Sequence, residues 1–535
     1  MFQFLAMMDH TAPGDMVKAM LLGLVVTGSL FIFHLVAYRI FFHPLAKFPG
    51  PLLAKFTNLY AAYHAWKGDI HIDIMRCHQK YGTQACSQVQ DKLLNMMIIG
   101  DRVRYSPNRI VINTPEALRD IYGHAARVRK YDGYNMLASQ APNLFTLSDK
   151  TQHGRRRRVI SQAFSESSLR IFEPIILSRI HRFCAKLRSQ SMAANGWSQP
   201  LDMACQFNNL TFDSMTAVAF SVDYNAIEKP DFRYVRESIS KANLRLSVIV
   251  QAPELTIARL DRRLFSGSAM AGYRFVKFLR KLLSTRLTNA TNSQDLFWFL
   301  KQCKDPDTGE ALSTTELSTE TATFLVAGSD TTSTAMAALS YYLSSHPRCY
   351  TQVANEVHST FAARDEIRLG PALNSCVFLR ACIDETLRLS PPAGSALWRQ
   401  VEKGGATIGT DFLPEGVEVG VGTYALHHHL DYWEEPFTFK PERWLNKNKT
   451  TKTTRGESSM PYSPFSHGPR NCVGKPLALN QIMLTFAFLF WEFDFRTGDT
   501  LEKRGETRED TFEFVLEEHI SGKADGPFLC FRVRS

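Results

Sequence analysis

The sequence predicts a mainly α-helical protein with a small β-rich part, preceded by one N-terminal transmembrane helix. Residues 16–38 form an apolar stretch of about the 20 residues that a membrane helix needs. Helical patterns follow over residues 52–82 and over most of 149–345, whereas short alternating segments come mainly after residue 400. Segments with helical periodicity and segments with strand periodicity therefore lie in different parts of the chain, and the helical segments are in the majority.

The composition is that of a large globular protein with a basic surface. With 535 residues and 44% hydrophobic side chains, the chain can bury a sizeable core, which excludes a disordered protein. The net charge of +10 suits an anionic membrane surface, an acidic protein or nucleic acid. No zinc-finger spacing or aromatic-basic repeat supports nucleic acid, so we expect none. The ten cysteines include no Cys-x-x-Cys pair, which fits a reducing compartment better than a zinc site or a disulfide scaffold.

The apolar stretch at residues 16–38 is expected to anchor the chain in a membrane. It shows neither the short apolar region nor the clear cleavage site of a signal peptide, and a buried core helix is the alternative. Arg39, His43 and Lys47 follow the stretch. Positive-inside asymmetry then places the bulk of the chain in the cytosol and residues 1–15 in the lumen.

A long helix is predicted from residue 313 to about residue 345. Residues 313–316, STTE, form a capping box, and the His-Pro pair at 346–347 ends the helix. The centre at residues 327–332, AGSDTT, is a poor helix former, because a mid-helix glycine costs about 1 kcal/mol relative to alanine. A poor helix-forming stretch inside an otherwise regular helix indicates a functional site, and a tolerated kink is the alternative.

A second unusual stretch is the loop at residues 465–476, FSHGPRNCVGKP. Cys472 has one glycine four residues before it and another two residues after it, so the backbone there can approach a flat ligand closely. The Lys475-Pro476 pair and the apolar run behind it predict a helix start. The helix N-terminus and the nearby Arg470 favour a thiolate, a soft metal ligand. A buried free cysteine is the alternative.

The loop pattern Phe-x-x-Gly-x-Arg-x-Cys-x-Gly resembles the haem-binding loop of the cytochrome P450 family, with every fixed position present. The resemblance implies the mainly helical cytochrome P450 fold and haem b, iron protoporphyrin IX, as cofactor. Cys472 would be the axial ligand of the iron, Arg470 would face a haem propionate, and Phe465 would pack near the sulfur. A thiolate ligand favours O–O cleavage.

Two further segments resemble the propionate-binding parts of the family. His153 and Arg157 occupy the family's histidine and arginine positions, at i and i+4 on a predicted helix. Arg399 matches the second propionate arginine. The other members of the arginine run at 155–158 would then face outward, toward a reductase.

The centre of the long helix resembles the family's oxygen-binding motif. The resemblance implies that Gly328 leaves room for dioxygen, that Thr331 hydrogen-bonds the oxygen, and that Asp330 helps to relay protons from water. Gly394, Ser395, Ala396 and Leu397 would face the substrate on an extended strand, and a hairpin over residues 511–535, with its tip near residues 521–522, would close the pocket.

The motifs Glu-x-x-Arg and Pro-Glu-Arg-Trp are also present. The resemblance implies that Glu385 and Arg388 are buried and bridged to Arg443, which braces the fold on the haem-loop side. The sequence KFPGP at residues 47–51 resembles the proline-rich hinge after the family's membrane anchor, so residues 39–51 are expected to be the hinge. Residues 52–535 are then the catalytic domain.

The implied reaction is insertion of one oxygen atom into a small apolar organic substrate, with electrons from NADPH-cytochrome P450 reductase. The sequences of the hinge and of residues 391–399 resemble those of fungal members of the family. By analogy only, this suggests secondary metabolism and an endoplasmic-reticulum membrane. Two alternatives stay open. One is a haem-thiolate isomerase or dehydratase that works without reductase, and the other is a non-catalytic haem-binding sensor; neither would need Asp330 and Thr331.

Residues 83–100 depart from the family. Deleting them would join Tyr81-Gly82 to Asp101 in the familiar register, so we expect either a retained intron or a lineage-specific loop. Transcript sequencing decides between them: reads without the segment support an intron, and reads that contain it exclude one.

Overall fold

The computed structural model describes residues 13–81, 101–138, 141–191, 196–288, 293–445, 461–498, 507–508 and 511–534. The atypical segment expected at residues 83–100 and most of the segment expected in the lumen, residues 1–15, lie outside these ranges.

Helices dominate the described residues, as predicted. In chain order they are α1 (Pro13–Ala37), α2 (Leu52–Phe56), α3 (Leu59–Lys67), α4 (Ile70–Tyr81), α5 (Pro115–Tyr122), α6 (Lys150–Gln162), α7 (Glu166–Ser191), α8 (Met203–Phe220), α9 (Arg233–Gln251), α10 (Leu260–Leu264), α11 (Ser266–Thr288), α12 (Leu296–Gln302), α13 (Thr314–Ser345), α14 (Pro347–Thr360), α15 (Pro371–Ser375), α16 (Val377–Leu389), α17 (Thr423–His427) and α18 (Lys475–Glu492).

The strands are short and form several small sheets. They are β1 (Arg102–Ser106), β2 (Arg109–Ile112), β3 (Val128–Lys130), β4 (Leu201–Asp202), β5 (Arg399–Val401), β6 (Ala406–Ile408), β7 (Asp411–Leu413), β8 (Glu418–Gly420), β9 (Phe493–Thr497), β10 (Thr507–Arg508), β11 (Thr511–Phe514), β12 (Glu517–His519), β13 (Ser521–Lys523) and β14 (Phe528–Val533). The largest sheet has the order β1-β2-β8-β5-β3, and only its β2–β8 pair is parallel.

The C-terminal region differs from the single hairpin predicted over residues 511–535. Strands β11, β12–β13 and β14 belong to three separate sheets, and only β12 and β13 form a tight hairpin, whose tip is Ile520. Alternation within each short segment was visible in the sequence, but strand partners far along the chain were not. Strand β14, for instance, pairs with β9 and β4.

Helix α1 and the turn after it form an apolar rod outside the folded core. The stretch Val17–Phe42 is long and apolar enough to cross a membrane, with a mean hydropathy of 2.2 and no buried residues in its most apolar window. Its end is tied to the folded part, because Arg39 donates to the carbonyl of Phe56 and its own carbonyl accepts from Arg104 at 2.7 Å. The N-terminal helix is therefore a candidate membrane anchor that leads directly into the fold.

The core is built around α13, which contacts α8, α12, α14, α16 and α18. Its predicted capping box is present, since the Ser313 hydroxyl accepts from the Glu316 N–H and the Glu316 carboxylate accepts from the Ser313 N–H. The helix continues without a break through its unusual centre. The long helix and both of its predicted ends are thus confirmed.

Glu385, Arg388 and Arg443 form the predicted buried network. Arg388 donates two hydrogen bonds of 2.9–3.0 Å to the Glu385 carboxylate, and both side chains are fully buried. Arg443 Nε lies 3.0 Å from the same carboxylate, which also accepts from the indole N–H of Trp444 at 2.9 Å. Burial acts to raise the pKa of Glu385, but the two arginines outweigh it and hold that pKa below its ordinary value. The carboxylate therefore stays charged and tightly held.

Replacing Arg388 with methionine is expected to lower the free energy of unfolding by about 3–5 kcal/mol, because Glu385 would lose its best partner while staying buried. Denaturant unfolding followed by tryptophan fluorescence measures the loss. Arg170→Met is the matched control, since Arg170 pairs with Glu166 on the surface. Equal losses in the two variants would contradict a buried bracing role.

Candidate active site

The cysteine loop turns back on itself just before α18. The Cys472 N–H donates to the Phe465 carbonyl at 2.9 Å, and the Ser466 N–H donates to the Ser463 carbonyl at 2.9 Å. Helix α18 begins at Lys475 with proline in its first turn. The sequence correctly predicted that Cys472 lies just before a helix N-terminus.

The two glycines of this loop have different roles. Gly468 has a φ of +68°, and a Cβ atom there would lie 2.0 Å from the Tyr122 carbonyl oxygen, so only glycine fits. Gly474 has an ordinary φ of −80°. A Cβ atom on Gly474 would lie 3.9 Å from the Cys472 sulfur. Gly468 therefore shapes the loop, while Gly474 keeps side-chain atoms away from the sulfur.

The Cys472 thiol lines an internal space. Of the described cysteines it alone is exposed, yet burial is the main influence on its titration. Burial raises the pKa of Cys472, while the N–H groups of Gly474 and Lys475 and the charge of Arg157 lower it, and burial prevails. The surroundings that were expected to favour a thiolate are present but do not create one by themselves. Binding to a metal ion would deprotonate the thiol.

Five basic side chains gather beside this loop without a carboxylate bound to any of them in the described part of the chain. They are Lys130, His153, Arg157, Arg399 and Arg470. The three arginines donate only to oxygens of backbone carbonyls and one amide. Arg157 binds Asn471 at 2.6 Å, Arg470 binds the carbonyls of Leu147 and Ser148 at 2.5 and 3.1 Å, and Arg399 binds those of Leu397 and Trp398 at 3.2 and 3.1 Å.

Burial and mutual repulsion lower the pKa values of three members of this basic cluster. Burial, then Arg470 and Lys130, lower the pKa of His153 to about 3. Burial, Arg399 and Arg470 lower the pKa of Lys130 far below its ordinary value. Burial and Arg399 lower the pKa of Arg470 to about 10, against the weaker pull of Asp149. An anionic ligand would stabilise the charged forms of these side chains, which burial and mutual repulsion disfavour.

Lys130 is the member of the cluster that sequence reasoning missed. It is 5% exposed, and its ammonium lies 3.6 Å from the centre of the Phe145 ring and 4.7 Å from that of Tyr134. It enters the cluster because β3 pairs with β5 and brings Lys130 opposite Arg399. A lysine at the end of a short strand gives no local signal of this pairing.

Across the fold, the centre of α13 presents Ala327 and Thr331 to open space. Ala327 is exposed although it lies in the middle of a core helix, and the Thr331 hydroxyl donates to the Ala327 carbonyl at 2.7 Å. Gly328 does not provide this space, contrary to expectation. A Cβ atom on Gly328 would lie 2.7 Å from the sulfur of Met215, so this glycine lets α8 pack closely against α13.

Asp330 points away from the face that carries Thr331. Its carboxylate accepts a hydrogen bond of 3.5 Å from Asn243 Nδ2 of α9, and Asn208 of α8 and Ser521 of β13 act to lower its pKa. Burial raises the pKa of Asp330 to about 6. The structure thus gathers His153, Arg157, Arg399, Arg470 and Cys472, but it places the carboxylate of Asp330 in a different environment from the hydroxyl of Thr331.

The neighbours of Arg157 in the arginine run at residues 155–158 were expected to face outward, and they do so only in part: Arg158 is exposed, Arg155 is partly exposed and Arg156 is buried. Arg156 is buried and bound to Glu320 at 3.1 Å. Arg155 lies 3.1 Å from Glu310, and Arg158 lies 2.9 Å from Asp307. Each of these arginines is therefore paired with an acid of the segment before α13 or of α13 itself.

The stretch at residues 393–399 presents only alternate side chains to one face. Ser395 and Leu397 are partly exposed, whereas Gly394 and Ala396 are buried. The expectation that all four face the substrate was wrong, because successive side chains of an extended chain point in opposite directions.

The described residues fit haem. Among them no group of three His, Cys, Asp or Glu side chains could hold a metal ion, so a metal here needs a ligand that brings its own donors. An accessible sulfur beside a buried, acid-free basic cluster matches a flat metal complex with anionic edges. Haem has this form, with two propionates and an iron that accepts a thiolate.

Comparison with known proteins decides the family. A family model described as Cytochrome P450 matches residues 67–518. The chain belongs to the cytochrome P450 family. Its relatives include the cytochrome P450 monooxygenase poxM of Penicillium oxalicum, which is 43% identical over 509 residues that cover 94% of this chain and 93% of that one. The cytochrome P450 monooxygenase AKT7 of Alternaria alternata is 40% identical over 514 residues, or 93% and 94% of the two chains.

Solved structures agree on the fold. The haem domain of cytochrome P450DA superposes with a TM-score of 0.63 at 20% identity, over 80% of this chain and 88% of that chain. The predicted cytochrome P450 fold is confirmed, and membership of this family implies a haem iron cofactor.

Lys130→Met and Arg470→Met are each expected to speed haem loss about tenfold or more. Removing one partner of a buried charge pair costs more than about 1.4 kcal/mol, and that amount corresponds to a factor of ten. Transfer of haem to excess apomyoglobin, followed by absorbance, measures the rate. Arg170→Met, on the surface of α7, is the control. A rate in the Lys130 variant equal to that control would remove Lys130 from the cofactor site.

Proposed function

We propose that this protein is a haem-thiolate monooxygenase that inserts one oxygen atom from O2 into a small apolar organic substrate, in fungal secondary metabolism. The observation that carries the proposal is the accessible sulfur of Cys472 beside a basic cluster that binds no carboxylate among the described residues. Relatives from several fungi that bear the name cytochrome P450 monooxygenase support the same reaction class.

In this proposal the cofactor is haem b, and the sulfur of Cys472 would hold its iron. Arg157, Arg399 and Arg470, together with His153 and Lys130, would hold the two propionates. Bound haem supplies the activation of dioxygen, which no amino-acid side chain provides. Phe465 supports the ligand loop through its carbonyl, which accepts the hydrogen bond of the Cys472 N–H.

In this proposal Thr331 and Asp330 of α13 accept and donate protons. The Thr331 hydroxyl, held by the Ala327 carbonyl, keeps its oxygen free to accept a hydrogen bond from water or to share one with a reacting group. Asp330 has its pKa raised toward neutrality by burial, so it can exchange protons at physiological pH. The exposed Ala327 leaves room beside the hydroxyl for a small molecule.

The partners and the location follow the same proposal. NADPH-cytochrome P450 reductase delivers electrons, and helix α1 anchors the chain in the endoplasmic-reticulum membrane with residues 1–15 in the lumen. Residues 39–51 form the hinge and residues 52–535 the cytosolic catalytic domain. Metabolite profiling of a deletion strain tests the function: a precursor should accumulate that differs from the lost product by one oxygen atom. Unchanged profiles would contradict it.

Thr331→Ala is expected to raise the hydrogen peroxide released per NADPH several-fold, because the hydroxyl beside the open space at Ala327 would be lost. Peroxide and NADPH are measured with reductase and the accumulated precursor. Thr321→Ala is the matched control, since the Thr321 hydroxyl makes the same bond, 2.7 Å to the Leu317 carbonyl, at a fully buried site. Unchanged coupling in the Thr331 variant would exclude its role in proton delivery.

A further inference from the structure

Ser395 lies on the wall of the space between α13 and the basic cluster. The stretch that carries it begins beside α13, because the Gly522 N–H donates to the Pro392 carbonyl at 2.6 Å and the Thr334 hydroxyl of α13 donates to the Gly522 carbonyl at 2.6 Å. The stretch ends at Arg399, a member of the basic cluster. Ser395 is partly exposed between these two ends. Its exposed side therefore borders the space in which haem and substrate would lie.

The alternation of side chains supports the same orientation. Ser395, Leu397 and Arg399 are alternate residues of a nearly extended stretch, so their side chains point to one side. Ala396 and Trp398 between them are buried on the other side. Since Arg399 belongs to the basic cluster, Ser395 faces the same space.

Glu518 of β12 binds the Ser395 hydroxyl from behind this wall. The hydroxyl donates to Glu518 Oε1 at 2.5 Å, and the Ser395 N–H donates to the same oxygen at 3.0 Å. The other carboxylate oxygen lies 3.2 Å from His71 Nδ1 of α4. Glu518 is 4% exposed. The serine oxygen is therefore the polar atom that this group presents to the space, and the carboxylate is its support.

Close packing holds Glu518 against the stretch. A Cβ atom on Gly394 would lie 3.1 Å from His71 Cβ and 3.3 Å from Glu518 Oε2, so a glycine lets the stretch approach both side chains. The Glu518 N–H also donates to the Gly68 carbonyl at 2.8 Å. The orientation of the Ser395 hydroxyl is thus set by residues outside the wall.

This arrangement decides which hydrogen bonds Ser395 can make on its open side. A serine hydroxyl has one hydrogen and two lone pairs, and an ionised carboxylate only accepts hydrogen bonds. Glu518 therefore holds the hydrogen of Ser395, and the open side of the oxygen presents lone pairs. A substrate O–H or N–H can donate to this oxygen, whereas an ether or ketone oxygen would meet a second acceptor.

We propose that Ser395, oriented by Glu518, is a specificity-determining residue that accepts a hydrogen bond from a hydroxyl or N–H group of the substrate. The substrate class is then an apolar molecule with at least one such donor, and not a pure hydrocarbon or an ether. The proposal rests on the monooxygenase function and deepens it at the same site. No covalent bond forms or breaks at Ser395, because the contact only selects and orients the substrate.

Two isomeric probes, decanol and methyl nonyl ether, test the requirement for a donor, since only the alcohol can donate. Burial raises the pKa of Glu518 to about 7 against the hydrogen bonds of Ser395, so the ionised form prevails at about pH 8. Isothermal titration calorimetry of the purified holoenzyme at that pH measures both affinities. The ratio of alcohol affinity to ether affinity should fall about fivefold in Ser395→Ala, because the alcohol loses one hydrogen bond. Ser395→Thr keeps a hydroxyl and should keep the ratio.

Glu518→Leu should lower the same ratio for the opposite reason. The freed Ser395 hydroxyl could then donate to the ether oxygen, so the ether should bind more tightly while the alcohol changes little. Glu517→Leu is the matched control, because Glu517 is the preceding residue of β12, is exposed, and pairs with Lys523 at 3.5 Å. It should keep the ratio of the parent.

Weaker alcohol binding in Ser395→Ala together with tighter ether binding in Glu518→Leu supports the proposal. If Glu518→Leu does not fold, the comparison of Ser395→Ala with Ser395→Thr decides alone. A ratio that stays at the parent value in Ser395→Ala, as a purely structural role predicts, or the absence of binding by both probes, overturns the proposal. NADPH-dependent oxidation of the precursor from the deletion strain tests the function separately. A parent that keeps the preference for alcohol but does not oxidise that precursor would overturn the monooxygenase function and leave the role of Ser395 standing.

Discussion

The constraint on which the active site depends is a group of buried and partly buried basic side chains to which no carboxylate of the described residues is bound. Lys130 and Arg399 face each other across paired strands, and Arg470 reaches them from the cysteine loop. A fold normally avoids burying like charges together, because desolvation and repulsion add. This one accepts the cost at a place where a dianionic cofactor would offset it, and in the proposed site the same cofactor would bring its metal to the sulfur of Cys472. Cofactor binding and local stability are thus coupled at one place.

Helix α13 combines packing and chemistry on different faces of one element. Gly328 faces Met215 and lets two core helices approach closely, while Ala327 and Thr331 face open space. The hydroxyls of Ser329, Thr331 and Thr334 donate to carbonyls of the preceding turn, so their hydrogen-bonding needs are met within the helix. Asp330 faces a third direction, where its carboxylate accepts a hydrogen bond from Asn243 of α9. An unfavourable local sequence is therefore kept because each face of the helix has a separate use.

The features that could be predicted from the sequence were mostly those that depend on residues close together in the chain. The capping box at Ser313 and the helix start after Cys472 each depend on a few neighbouring residues, and both are present. The i, i+3 pair of Glu385 and Arg388 is likewise visible in one turn. The propionate cluster was found in part because four of its five members belong to recognisable motifs.

The rest could not be predicted because it depends on distant partners. Lys130 joins the basic cluster through a strand pairing with residues some 270 positions away. The role of Gly328 depends on which side chain of another helix fills the gap, and the hydrogen-bond donor to the Asp330 carboxylate comes from α9, some 87 positions earlier in the chain. The pairing of the arginines at 155–158 needed acids from the segment around α13 to be placed next to them. No local pattern contains this information.

The most direct test is the absorbance spectrum of the purified protein, reduced under carbon monoxide, beside that of Cys472→Ser. Haem held by the Cys472 sulfur predicts a Soret band at the wavelength typical of thiolate ligation in the parent, and its loss in the serine variant. A parent without that band, or a serine variant that keeps it, would contradict the assignment of Cys472 as the iron ligand.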